Sequence, residues 1–329
     1  MCIASKDEDE VPGILYHYCS IDTFMEIINN KTIRLSNIFK TNDSSEVIHV
    51  LKFLSDTLAE KYKKDPFPFE YHGIENEKAF DLIVSDTIKN INEVIFSSYI
   101  ASFSESEDDL GQWNRYGDNG KGVAIGYNGK ILKEIAKLCS VANTKVVYDE
   151  KKQKESVKDN MAPLIFEAIK KAGDNGNVKN GFFTRDEMVQ IQNNSYISAI
   201  LLSAIKYKHE AYKNEKEWRL YLNTPEITKL FYPEGIKKYS GKKHYVDVVR
   251  NEISFINKAD KGISSYMDLS FGKFNDASKI ITKIILGPRS MINERDVDLR
   301  IFLHINNFDI GLPNIACSAI RQSEIPYRG

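Results

Sequence analysis

Late in the chain, the stretch from Glu215 to Leu222 alternates so regularly that it reads as a β-strand. Trp218, Leu220 and Leu222 fall on one face by period two, and Glu217, Arg219 and Tyr221 fall on the other. An apolar face of this kind requires a core on its side of a sheet. The polar face has two readings. It is an ion pair beside a solvated aromatic, or it lines a cleft and presents Glu217 as a working carboxylate on a rigid strand.

A strand so placed needs partners, and the sequence supplies them. Strands are predicted at 14–18, 32–36, 97–104, 123–127, 145–148, 245–249, 253–256 and 280–287, with a last extended piece near 314–320. Ser20 is placed to cap a helix over 21–29, whose apolar face is Phe24, Ile27 and Ile28. Further helices are predicted from the turn at 41–46 to about 61, over 76–92, 110–116, 131–138 and 294–303, with a loop at 63–73. The middle, 150–209, reads as almost entirely helical, broken by a polar loop at 173–181. Thr184 and Glu187 form a capping box for its last helix. Strands at both ends with helices between them predict one α+β domain over 14–329 with a helical insertion at about 150–209. Residues 1–13 are expected to be a flexible acidic N-terminus.

Composition narrows the function classes. A formal net charge of −1 gives no reason to expect a coat for nucleic acid or membrane. Cys2, Cys19, Cys139 and Cys317 are scattered, without C-x-x-C spacing, as in a reduced cytoplasmic protein with free thiols. The polar start at Lys6 to Glu10 is no signal peptide, and no apolar run reaches the roughly 18 residues of a membrane span. The phosphate-loop, dinucleotide and nucleophile-elbow glycine motifs are absent, and Gly120 and Gly122 belong to a turn. The six histidines form neither H-x-x-x-H nor H-E-x-x-H, so no metal is expected.

Four places remain as candidate chemistry. His17 sits on the first strand, either as a core histidine or as an imidazole offered to a ligand hydroxyl. Trp113 and Tyr116, three apart, share a helical face that packs in the core or walls a planar ligand. Arg289 meets a phosphate or is solvated. Asp43, Glu46 and Glu217 would serve a metal-dependent nuclease only if they converge.

These pieces, in this order, resemble a bacterial family known only as a domain of unknown function, number twenty-nine seventy-one. The resemblance rests on Leu15 to Tyr18, Thr41 to Glu46, Ser102 to Ser104, Trp113 to Gly117, Lys121 to Tyr127, Glu215 to Leu220 and Ile284 to Gly287. Ser44 stands where that family often has proline. In layout the chain is also similar to ADP-ribosyltransferase-like proteins: a His-bearing strand, a helix, a second strand, a mid-chain aromatic and a late strand with Glu. That second resemblance implies a central, mostly antiparallel split sheet and NAD as substrate. It implies Glu217, Tyr116 and Arg219 as catalytic residues, with Glu217 holding a ribose hydroxyl and stabilising positive charge on the sugar. It also implies His17, Tyr18, Trp113 and Arg289 as NAD-binding residues. The acceptor would be a protein or a nucleic acid, in a toxin or anti-phage setting, with a partner protein or antitoxin and no membrane. The rival class is a non-catalytic binding module of a defence system.

Overall fold

The computed structural model describes residues 10–41, 44–71, 73–95, 98–138, 141–174, 205–223, 253–258, 262–272, 277–308 and 319–327. Its strands are β1 (Ile14–Cys19), β2 (Thr32–Asn37), the short hairpin β3 (Glu70–Tyr71) and β4 (Ile74–Glu75), β5 (Ser98–Ser104) and β6 (Val123–Asn128). After them come β7 (Ala142–Lys145), β8 (Glu217–Asn223), β9 (Ser254–Lys258), β10 (Gly262–Ser270), β11 (Ile281–Leu286) and β12 (Ile320–Gln322). The helices are α1 (Ile21–Asn30), α2 (Ser44–Lys64), α3 (Asn76–Ile95), α4 (Leu110–Arg115), α5 (Gly129–Leu138), α6 (Glu150–Ser156), α7 (Ala162–Asp174), α8 (Ala277–Ile280) and α9 (Val297–Ile305).

One large sheet runs β12-β11-β6-β1-β5-β2-β10-β9, with β8 on the other edge of β5 and β7 beyond β8. Every pairing in it is antiparallel except β11 with β12. The mixed α/β architecture and the antiparallel sheet agree with the sequence reading. β5 is the strand on which the sheet divides. One edge pairs with β8 along its whole length, Ser98 opposite Asn223 through Ser104 opposite Glu217. The other edge meets β1 at Ser104 opposite Tyr16, and β2 at Ile100 opposite Ser36 and Tyr99 opposite Asn37. Between those contacts β1 and β2 part, leaving a slot alongside residues 101–103 of β5.

The two faces of the sheet are covered differently. On one, Leu15, Phe103, Ile125 and Trp218 pack under α1, α5 and α9 through Phe24, Ile28, Leu132 and Leu303 in one continuous core. Ser20 caps α1 as expected, accepting from the Thr23 N–H. On the other face the cover is in two parts. Ile100 and Tyr221 pack under α2, α3 and α7, while Tyr16, Tyr18, Ala124 and Ile285 pack against Trp113 of α4. A polar strip of Ser102, Ser104, Glu217 and Arg219 separates the two parts. The slot and the strip together make a cleft.

Several expectations shift. The loop at 63–73 contains the β3–β4 hairpin, and β7 lies three residues before the predicted strand at 145–148. β10 was not expected: its Ser264, Ser265, Asp268 and Ser270 break the apolar signal. The insertion is helical over α6 and α7, which a five-residue π-helical turn joins. Residues 206–209, at its end, are not helical. Thr184, Glu187, the strand at 245–249, residues 1–9 and most of the 314–320 piece lie outside the described residues. Both faces of β8 are buried, so Glu217, Arg219 and Tyr221 do not face water. No helix among the described residues is long and apolar enough to cross a membrane.

Candidate active site

The cleft has a volume of about 250 Å³ and is lined by His17, Tyr116 and Glu217 together, with Arg34, Lys40 and Glu215. Arg34 comes from β2, Lys40 from the turn after it, and β5 supplies Ser102 and Ser104. β1 gives His17, α4 and the residue after it give Gln112 and Tyr116, and the turn into β8 gives Glu215 and Glu217.

His17 reaches the cleft because the sheet is split. By the pleat it belongs to the face of Leu15 and Cys19, opposite to that of Glu217. Its ring lies at the slot, where Nδ1 is 2.9 Å from the Ser102 carbonyl oxygen. A carbonyl only accepts, so Nδ1 carries the proton and Nε2 is left as an acceptor. Burial holds the imidazole pKa below its ordinary 6.5, against the opposing pull of the Ser102 carbonyl. His17 is therefore a neutral acceptor at physiological pH.

Glu217 ends in a chain of alternating charges. Arg219 grips it with both Nε (2.8 Å to Oε1) and Nη2 (3.0 Å to Oε2). Lys208 Nζ lies 3.0 Å from Oε2 of Glu217 and 2.6 Å from Oε2 of Glu215. Glu215 Oε1 accepts from Arg115 Nη1 at 2.7 Å and from the Tyr116 hydroxyl at 3.3 Å. The order is Arg115, Glu215, Lys208, Glu217, Arg219: three cations and two anions. Lys208, Glu215, Glu217 and Arg219 are each at most 5% exposed. Burial pushes the Glu217 carboxyl up, but Arg219 first, then Lys208 and the Ser102 hydroxyl, more than offset it and bring its pKa to about 2. Glu217 is ionised throughout the physiological range.

Backbone geometry makes that convergence. Glu210–Glu215 is a 3₁₀ turn, and Lys216 sits in the left-handed region at φ 44°, ψ 50° before β8 begins. The strand predicted from Glu215 thus starts at Glu217. Across the cleft, the turn at 117–122 packs close on β1. A Cβ on Gly122 would collide with the Cys19 carbonyl oxygen, and Gly120 has φ +80°.

The remaining candidates divide. Arg219 orients the carboxylate but does not line the cleft. Tyr18 borders the cleft, yet its hydroxyl is engaged, donating to the Ser106 carbonyl and accepting from the Asp109 N–H. Trp113 is not a wall of the cleft. It is fully buried against Tyr18, and its indole N–H donates to Asp108 at 2.7 Å. The physical reason is that α4 ends at Arg115 and Tyr116 leaves the helix at φ −123°, so Trp113 is the buried centre of its cluster while Tyr116 packs on that cluster only partly buried and reaches the cleft. Arg289 is also elsewhere, its guanidinium 5.3 Å from the Tyr327 ring.

Residues 112–220 match the profile of a family described as "Protein of unknown function (DUF2971)". That span runs from α4 to β8 and so carries Tyr116, Lys208, Glu215, Glu217 and Arg219, while His17 precedes it. No curated protein and no solved structure matches the chain. Asp43 lies outside the described residues, as does the side chain of Glu46. Among the described residues no group of three or more His, Cys, Asp or Glu side chains is placed to hold a metal ion. The groups against Glu217 are cations, which would repel one.

Sequence reasoning missed Lys208 and Glu215. A short Lys-x₆-Glu-x-Glu run followed by Arg was visible, but no periodicity connects a lysine to a strand it does not belong to.

Proposed function

We propose that the cleft binds NAD and that the chain is an ADP-ribosyltransferase-like enzyme, modifying a protein or nucleic-acid acceptor. The observation that carries this reading is that one cleft is lined by His17, Tyr116 and Glu217, three residues far apart in sequence. Charge is compatible with it: Arg34 and Lys40 line the cleft opposite Glu215 and Glu217 and supply cations for the phosphates of a dinucleotide. The volume, about 250 Å³, lies just below the range of about 300–1,000 Å³ usual for ligand sites. It suits a nucleoside half, with the remainder lying along the open lip.

In this reading neutral His17 accepts a hydrogen bond from a ribose hydroxyl through Nε2, and the Tyr116 ring packs on the nicotinamide. The reaction breaks the bond between the ribose C1′ and the nicotinamide nitrogen. Nicotinamide leaves with the bonding pair, and an acceptor oxygen or nitrogen attacks C1′ and loses its proton to solvent. Glu217 accepts from a ribose hydroxyl and offsets positive charge developing on the sugar. Arg219 holds that carboxylate in place. A toxin or anti-phage role with a partner protein or antitoxin is consistent with this chemistry.

The test is nicotinamide release from NAD by purified protein, with and without cell lysate as acceptor source. Glu217→Gln is expected to lower release by about a hundredfold while NAD still raises the melting temperature. No release and no thermal shift from the wild type overturns the reading. A second reading, the binding module, draws on the saturation of Glu217 by Arg219, Lys208 and Ser102. It requires Glu217→Gln to unfold the protein rather than silence it.

A further inference from the structure

An ionised carboxylate accepts about four hydrogen bonds, and Glu217 has four donors already: two from Arg219, one from Lys208 and one from the Ser102 hydroxyl. A ligand hydroxyl that reaches this carboxylate must therefore replace a donor. The four are not equally held. Arg219 is bidentate on Glu217, and its Nη1 also donates to the Ile205 carbonyl, so the guanidinium is fixed at three points. Lys208 is closer to Glu215, at 2.6 Å, than to Glu217, at 3.0 Å, and an ammonium on a rotatable stem gives up one acceptor without losing the other.

We infer that Lys208 is a positioning residue that the ligand displaces: a substrate hydroxyl takes its place on Oε2 of Glu217, and the ammonium withdraws onto Glu215. This rests on the NAD reading above and adds its regulation. In the free protein the Glu217 charge is shared between Arg219 and Lys208. On binding, the Lys208 charge moves one carboxylate away, and Glu217 is left with Arg219, the Ser102 hydroxyl and the ligand hydroxyl, more negative toward the sugar. Glu215 is then the group that receives the cation, and its own tie to half-exposed Arg115 leaves room for that shift.

The inference makes two opposite demands, which a merely structural role for the cluster does not. Lys208→Met removes the competitor, so KM and Kd for NAD fall, by about tenfold if one charge-assisted hydrogen bond is at stake. Glu215→Gln removes the place of retreat, so both constants rise by a similar factor. The measurement is NAD titration by calorimetry and by release kinetics on the full chain, with melting temperature recorded for each variant. Lys208→Gln replaces the methionine variant if that one does not fold. Shifts of opposite sign support the inference. Shifts of the same sign, or none, overturn it while leaving the NAD reading standing. A wild type that neither binds nor cleaves NAD removes both.

Discussion

Two acidic runs, Glu105 to Asp109 and Glu215 to Glu217, look alike in sequence and end in different physics. Glu107 accepts from the Tyr16 hydroxyl at 2.9 Å, Lys283 at 3.2 Å and Arg321 at 3.0 Å, yet its side chain is 43% exposed. Asp108 ties Trp113 to Ser323 beyond β12. This first cluster clamps the C-terminal strand and α4 onto the turn, with its charges reaching water. The second is sealed: the Glu217 side chain is 5% exposed and borders the cleft. The difference teaches that a carboxylate with several cations around it is a fastener when water shares it and a poised charge when water does not.

The sharpest way to break the comparison is to remove one cation from each cluster. Arg219→Met leaves a buried carboxylate short of its main partner and is expected to cost about 3–5 kcal/mol in urea unfolding. Acid titration comes next. Because the folded pKa of Glu217 is depressed from 4.5 to about 2, its stabilising contribution is complete above pH 4.5 and is lost as pH falls toward 2. Tyr16, Lys283 and Arg321 hold Glu107 below its ordinary value too, with the same sign. Unfolding free energies measured through that window are expected to flatten more in Glu217→Gln than in Glu107→Gln. Equal flattening would erase the distinction. Trp113→Phe loses the Asp108 hydrogen bond and is expected to cost about 1–2 kcal/mol of stability with NAD affinity unchanged. A loss of affinity would return Trp113 to the cleft. Smallest, Arg321→Met is expected to cost less than about 1 kcal/mol by the same urea assay.

What the sequence made legible was what periodicity reports. β1, α1, β5, β6 and α3 stand within a few residues of their predicted places, because each is a local apolar pattern with a recognisable start. The alternation in β8 assigned its two faces correctly, Trp218 to one core and Tyr221 to the other. The burial of the polar face could not be read, because it depends on α7 and on the segment that brings Lys208 alongside. The clamp at Glu105 to Asp109 read only as a turn, since its partners lie more than ninety positions away along the chain in most cases. The grouping of His17 with Glu217 came from a resemblance in layout. The split that makes it geometrically feasible shows only when β5 is seen to serve two diverging strands at once.

That shared strand has a consequence for synthesis. β1 pairs with β5 and β6, and β5 pairs with β8, more than a hundred residues downstream. Until the ribosome has released Asn223, β5 has an open edge, and the cleft has neither its two glutamates nor their lysine. Pairings of such long sequence separation form slowly, and an uncovered strand edge is adhesive. The nascent chain therefore completes its cleft late, and a product truncated short of β8 lacks Glu217 and keeps an open strand edge that favours aggregation.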